Sequence, residues 1–139
     1  MPGDAGCPVI YWDASAILSC LVQDVHTRDA LARLSEEGYH LVSSLAFAEV
    51  HAVLSRIARA AGSGEPLDQA RQSLSAGPWS SVEIGPDRAL FPSLAARHRL
   101  RGADLWYLAT ALTLRRRLPE ITLLSYDRTL GRAAAAEGL

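Results

Sequence analysis

Four short apolar runs, separated by segments of helical periodicity, constrain this chain more than any other feature. The runs fall at 9–12, 41–43, 81–84 and 121–125. Helical patterns occupy 14–22, 27–37, 45–60, 66–76, 86–99 and 103–118, and a last one closes the chain at 128–137. Strands alternating with helices predict an α/β fold with a mainly parallel sheet covered on both faces. The punctuation agrees: Gly38 stops one helix, Gly62-Ser63-Gly64 another and Gly77-Pro78 a third, while Pro119 follows the helix at 103–118. At 139 residues the pattern suits one domain, expected over 8–139 behind a short tail at 1–7.

In an open parallel sheet, function gathers beyond the carboxyl ends of the strands. Acids stand there. The first run, ending in Trp12, hands over at Asp13 to a helix in "YWDASAIL". Asp127 comes just after the fourth run, in "LLSYDRTL". Asp104 starts the helix of "RGADLWYLATAL", and Glu49 lies among apolar neighbours on the helix after the second run. Each of the three aspartates is also well placed to cap a helix, where acids are favoured. Their joint occurrence at the strand and helix ends of one small domain makes a shared site the more interesting expectation.

Composition removes several alternatives. All 14 basic residues are arginine, so chemistry that needs lysine is excluded, including the phosphate-cradling loop that ends in Gly-Lys-Ser/Thr. A receiver domain of the response-regulator type, which keeps a lysine beside its acidic pocket, is disfavoured for the same reason. The net charge of −1 exerts no global pull on nucleic acid, so any polyanion site must be a local arginine cluster. Cys7 and Cys20 have no metal-type spacing and are expected to be free thiols. No apolar run is long enough to span a membrane and no basic-then-apolar leader opens the chain, which leads us to expect a cytoplasmic protein.

Four segments together resemble the PIN-domain nucleases, most closely the VapC-type toxins of bacterial toxin–antitoxin pairs. "DASAIL" matches an opening Asp-x-Ser/Thr motif at Asp13 and Ser15. "SLAFAEV" matches the helix bearing an acid, here Glu49, and "ADLWYLATAL" the Ala-Asp-led helix at Asp104. "LLSYDRTL" matches the Thr/Ser-x-Asp-x-x-Leu turn at Ser125 and Asp127. Each motif is short; all four in order make the signal specific. Relatives often have His where Tyr107 stands and Leu where Trp106 stands, and many add a last short strand.

The resemblance implies a three-layer α/β/α sandwich and a Mg²⁺- or Mn²⁺-dependent ribonuclease acting as a homodimeric toxin, restrained by a VapB-like antitoxin. Crowded carboxylates repel one another, and a hard divalent cation with oxygen ligands supplies the missing charge. Asp13 and Asp104 are expected as direct ligands, with Asp127 and Glu49 binding a second ion or holding its waters. Ser15 and Ser125 would orient the carboxylates. The expected reaction is hydrolysis of an RNA phosphodiester by a metal-activated water, leaving 5′-phosphate and 3′-hydroxyl ends. Arg101, close in sequence to Asp104, is the candidate phosphate contact. The run Arg115-Arg116-Arg117 has a plainer explanation, complementing a helix C-terminus. Apolar residues on the first two helices, Ile17, Leu18, Leu21, Val22, Leu31 and Leu34, are a candidate groove for an antitoxin helix.

Two other readings compete. A metal-free ribonuclease would need a histidine pair among His26, His40, His51 and His98, none convincingly spaced for one. An inactive PIN-like module binding RNA or protein is the second.

Overall fold

The computed structural model describes residues 6–139. Most of the tail expected at 1–7 lies outside the described residues. Four strands, β1 (Val9–Trp12), β2 (Tyr39–Ser43), β3 (Trp79–Val82) and β4 (Ile121–Leu124), form one sheet in the order β3-β2-β1-β4. Every pairing is parallel. Seven α-helices connect and flank them: α1 (Ala14–Leu21), α2 (Thr27–Leu34), α3 (Ser44–Ala61), α4 (Glu65–Ala76), α5 (Phe91–Arg97), α6 (Gly102–Arg115) and α7 (Arg128–Ala136). The α/β class with a parallel central sheet is therefore as expected.

All four residues of β1 are buried, so both faces of the sheet are covered at its centre. Alternation sends Tyr11 to one side and Trp12 to the other. Tyr11 packs against Tyr107 of α6, with ring centroids 6.2 Å apart. Trp12 packs on the opposite side, edge-on to Trp79 of β3 at 5.1 Å. Its indole Nε1 donates to His40 Nδ1 at 3.1 Å. With Nδ1 accepting, the His40 Nε2 carries the proton and donates to the Glu36 carbonyl at 3.1 Å. His40 is thus a satisfied core histidine.

Several boundaries differ from expectation: α2 ends at Leu34 with Ser35, not Gly38, at its end, and α6 ends at Arg115, each three residues early. β2 begins at Tyr39, two residues early, because the Tyr39 amide donates to the Pro8 carbonyl at 2.9 Å and opens the parallel register with Val9. β3 covers Trp79–Val82 rather than 81–84, since Trp79 lies in register with His40 and fills the core beside Trp12. Ile84, expected within that strand, is exposed. The helix expected over 86–99 is broken. Asp87 accepts from the Ala89 amide at 3.0 Å and caps a single 3₁₀ turn, Arg88–Leu90. α5 then starts at Phe91 with Pro92 in its first turn, the position where proline is best tolerated.

The order of the strands positions the site. The chain builds from β1 to β2 and β3, then crosses back to lay β4 on the other side of β1. The carboxyl ends of β1 and β4 therefore flank a topological switch point, the usual place for a site in an open α/β sheet.

Candidate active site

Asp13 follows β1 directly, and its amide donates to the Leu124 carbonyl at the end of β4, 3.2 Å away. That bond sets Asp13 beside the β4 turn. The side chain is buried, 3% exposed, and caps α1: Oδ1 accepts from the Ala16 amide at 2.9 Å and from the Ser15 hydroxyl at 2.7 Å. Ser15 in turn accepts from the Tyr126 amide at 3.0 Å, and its Oγ lies 3.4 Å from that of Ser125. Ser15 and Ser125 thus tie the β1 and β4 turns together. Asp127 caps α7, its Oδ1 accepting from the Leu130 amide at 3.0 Å, while Ser125 accepts from the Asp127 amide at 3.1 Å. Both aspartates are caps, and both keep a second oxygen outside the capping bonds.

Asp104 is different. The N-cap of α6 is Arg101, so Asp104 stands in the first turn, and its carboxylate makes no hydrogen bond to the described residues. It is half-buried. Its pKa is pushed up to about 6, by burial first, then by the charges of Asp127, Asp13 and Glu49, with Arg101 acting in the opposite direction. The carboxyl of Asp13 is also raised, chiefly by burial, against the hydrogen bonds from Ser125, Ser15 and Ala16. The fold therefore brings Asp127, Asp13 and Glu49 within electrostatic reach of Asp104. Arg101 is exposed at the rim.

Tyr107 is the residue that sequence reasoning missed. It is 2% exposed, and its hydroxyl donates to Glu49 Oε1 at 2.5 Å, joining α6 to α3 across the site. Burial, then the Glu49 carboxylate, raise its own pKa strongly, so it stays a donor. The helical spacing that puts Tyr107 three residues after Asp104 was the available signal.

The donor set suits a hard divalent cation: all oxygen, all acidic, with one half-buried carboxylate that no described residue hydrogen-bonds. Among the described residues, no three acidic, His or Cys side chains converge closely enough to chelate an ion as they stand. The other three acids stand more loosely around Asp104. Mg²⁺ accommodates that, because it commonly takes one or two carboxylates and completes its shell with water and phosphate.

The remaining candidates lie elsewhere. His40 is in the core, His98 Nε2 meets Glu137 Oε2 at 2.7 Å, and His26 stacks on Tyr126 with centroids 4.4 Å apart. No two histidines share a hydrogen bond among the described residues, so nothing favours a metal-free histidine mechanism. Arg115 donates to the Glu137 carbonyl at 2.6 Å and Arg116 to Asp87 at 2.8 Å, which commits two of the run's three arginines to internal contacts. Cys7 and Cys20 are free; Cys20 packs on the core and burial pushes its thiol up to about 11.

No curated protein matches this chain in sequence. The crystal structure of PAE2754 from Pyrobaculum aerophilum is similar in fold, with a TM-score of 0.62 over 91% of this chain and 85% of that one, at 17% identity. The model of the PIN domain matches residues 10–136, a span that includes all four acids. With that match over nearly its whole length and the parallel sheet that goes with it, the chain belongs to the PIN domain family.

Proposed function

We infer that this protein is a Mg²⁺- or Mn²⁺-dependent endoribonuclease of the VapC-like toxin kind, which cuts RNA phosphodiester bonds by hydrolysis. PIN domains are generally nucleases and typically use divalent metal ions. The observation that carries the reading is the gathering of acids at the sheet's switch point, where Asp13 lies beside the end of β4 and Asp104 is raised to about 6 by burial and by its three acidic neighbours.

Asp13 and Asp104 are the assigned direct ligands, with Asp127 and Glu49 holding a second ion or ordered water. A divalent cation, when bound, offsets charge on the phosphoryl oxygens and makes water a better nucleophile. The water oxygen bonds to phosphorus, the bond from phosphorus to the 3′ oxygen breaks, and a proton from water ends on that oxygen. The chain's own part is to hold this geometry. Ser15 fixes the Asp13 carboxylate, Ser125 fixes the turn carrying Asp127, and Tyr107 fixes Glu49. Arg101 stands where it can meet a phosphate at the rim.

The reading extends to partners. Of the residues expected to form the groove, Ile17 is buried in the core, whereas Leu31 of α2 is 48% exposed and, with Val25 between α1 and α2 at 90%, leaves apolar surface for a VapB-like antitoxin to cover. A homodimer belongs to the same proposal, as does a cytoplasmic location; among the described residues no helix is long and apolar enough to cross a membrane. Co-expression with the neighbouring gene followed by pull-down tests the antitoxin, and light scattering tests the dimer.

The direct test is cleavage of a labelled RNA with Mg²⁺, with EDTA, and by Asp104→Asn. Cleavage should need the ion, leave 5′-phosphate ends, and fall at least about tenfold in the variant, the lower end of what even outer-shell partners of a metal contribute. Persistent cleavage in EDTA with cyclic phosphate ends would overturn the reading.

A further inference from the structure

We propose that a groove between the α5–α6 loop and helix α7 is a second phosphate-binding subsite, which holds the backbone of the same RNA strand next to the carboxylates. This rests on the ribonuclease reading.

The need for such a subsite is electrostatic. A single strand carries a phosphate at every nucleotide, and the hollow presents four carboxylates to it. A bound ion compensates only the phosphate it touches. The chain as a whole has a net charge of −1 and offers no general attraction. Neighbouring phosphates must be held by local arginines that are not already paired.

The groove supplies them. It has a volume of about 460 Å³, and Arg97, Arg99, Leu100, Thr129 and Arg132 are among its walls. Along the chain its walls lie next to residues of the site. Thr129 is two residues beyond Asp127, and Arg99 two residues before Arg101, whose charge already reaches Asp104. From Asp127 to Arg132 the helix rises only about 7.5 Å. Glu137 holds two of the wall residues: its carboxylate takes Arg97 Nε at 3.1 Å, Arg97 Nη2 at 2.9 Å and His98 Nε2 at 2.7 Å. Those bonds pin the end of α7 to the end of α5 and fix the width between the walls. Arg99 and Arg132, both exposed, form no ion pair with the described residues. Arg115 and Arg116, by contrast, are held in contacts with Glu137 and Asp87. Two free guanidiniums facing one held groove beside an anionic site suit a run of phosphates, for which arginine's planar fork is the better binder.

The experiment uses the full chain carrying Asp104→Asn in Mg²⁺, so that RNA stays intact, and a fluorescein-labelled single-stranded RNA of about ten nucleotides. Anisotropy is read across a salt series, with unchanged melting temperature as the folding control. Adding Arg99→Ala and Arg132→Ala together should weaken binding at least tenfold. It should also flatten the log–log salt slope by about 1.4, at about 0.7 per lost single-strand phosphate contact. Arg71→Ala, on α4, should change neither. A double variant that keeps its affinity and slope overturns the subsite, even if the unmutated protein cleaves RNA normally. Loss of a protein partner with RNA binding unchanged also overturns it. Failure of the unmutated protein to cleave any RNA strikes the ribonuclease reading itself.

Discussion

Tyr107 and Asp104 lie on adjacent turns of α6 and have opposite needs. Tyr107 has a buried hydroxyl satisfied by Glu49, whereas Asp104 has a half-buried carboxylate that no described residue hydrogen-bonds. Removing the hydroxyl in Tyr107→Phe should leave Glu49 free to swing and weaken Mn²⁺ binding roughly tenfold, the scale typical of a ligand's outer partner. Electron paramagnetic resonance of Mn²⁺ titrations would show this without relying on activity. The raised carboxyls also give a pH signature. A carboxyl whose folded pKa is raised stabilises the fold fully below its unfolded value, here 3.8, and loses that contribution as pH climbs through the folded value. For Asp104 the window closes at about 6. Asp24, Asp87 and Glu137 are shifted the other way, so they withdraw stability only as pH falls below the ordinary carboxyl range. In EDTA the protein should therefore melt at a higher temperature near pH 5 than near pH 7, as far as these acids decide it. Asp104→Asn should shrink the difference.

At the scale of elements, two glycine-dependent or proline-dependent joints decide where strands and helices begin. Gly38, at φ +138°, lies in a region that side chains rarely adopt, and a Cβ there would collide with the Pro8 carbonyl oxygen. That same oxygen accepts the Tyr39 amide that starts the β1–β2 ladder. Gly38→Ala should cost about 1–3 kcal/mol, the usual scale for a strained backbone residue, visible as a lower urea midpoint at unchanged slope. The second joint is Pro92, which sets the start of α5 after the Asp87-capped turn. The sequence shows the proline and the aspartate. Read as periodicity alone, they merged into one helix over 86–99, because apolar spacing carries no information about where a backbone bends.

For the whole molecule, metal binding and stability should be linked. An ion that binds only the folded hollow adds RT ln(1 + [L]/Kd), about 2.7 kcal/mol at a hundred times Kd. Mg²⁺ should raise the melting temperature near pH 7 and do so less near pH 5, where protons compete for Asp104; differential scanning calorimetry would read both. The alternation of four apolar runs with helical segments determined the α/β class and the parallel sheet, because strand and helix periods are local properties of the chain. The acids at the turns were legible for the same reason: Asp13 and Asp127 carry cap signals, and caps sit at element ends. Only the tertiary structure decided that β4 returns beside β1, that Trp79 belongs to the core, and that Tyr107 reaches Glu49 from 58 positions away. It also decided which arginines were already paired. Those are contacts between distant segments, fixed by packing and by the pairing of charges in space, and no local pattern along the chain encodes them.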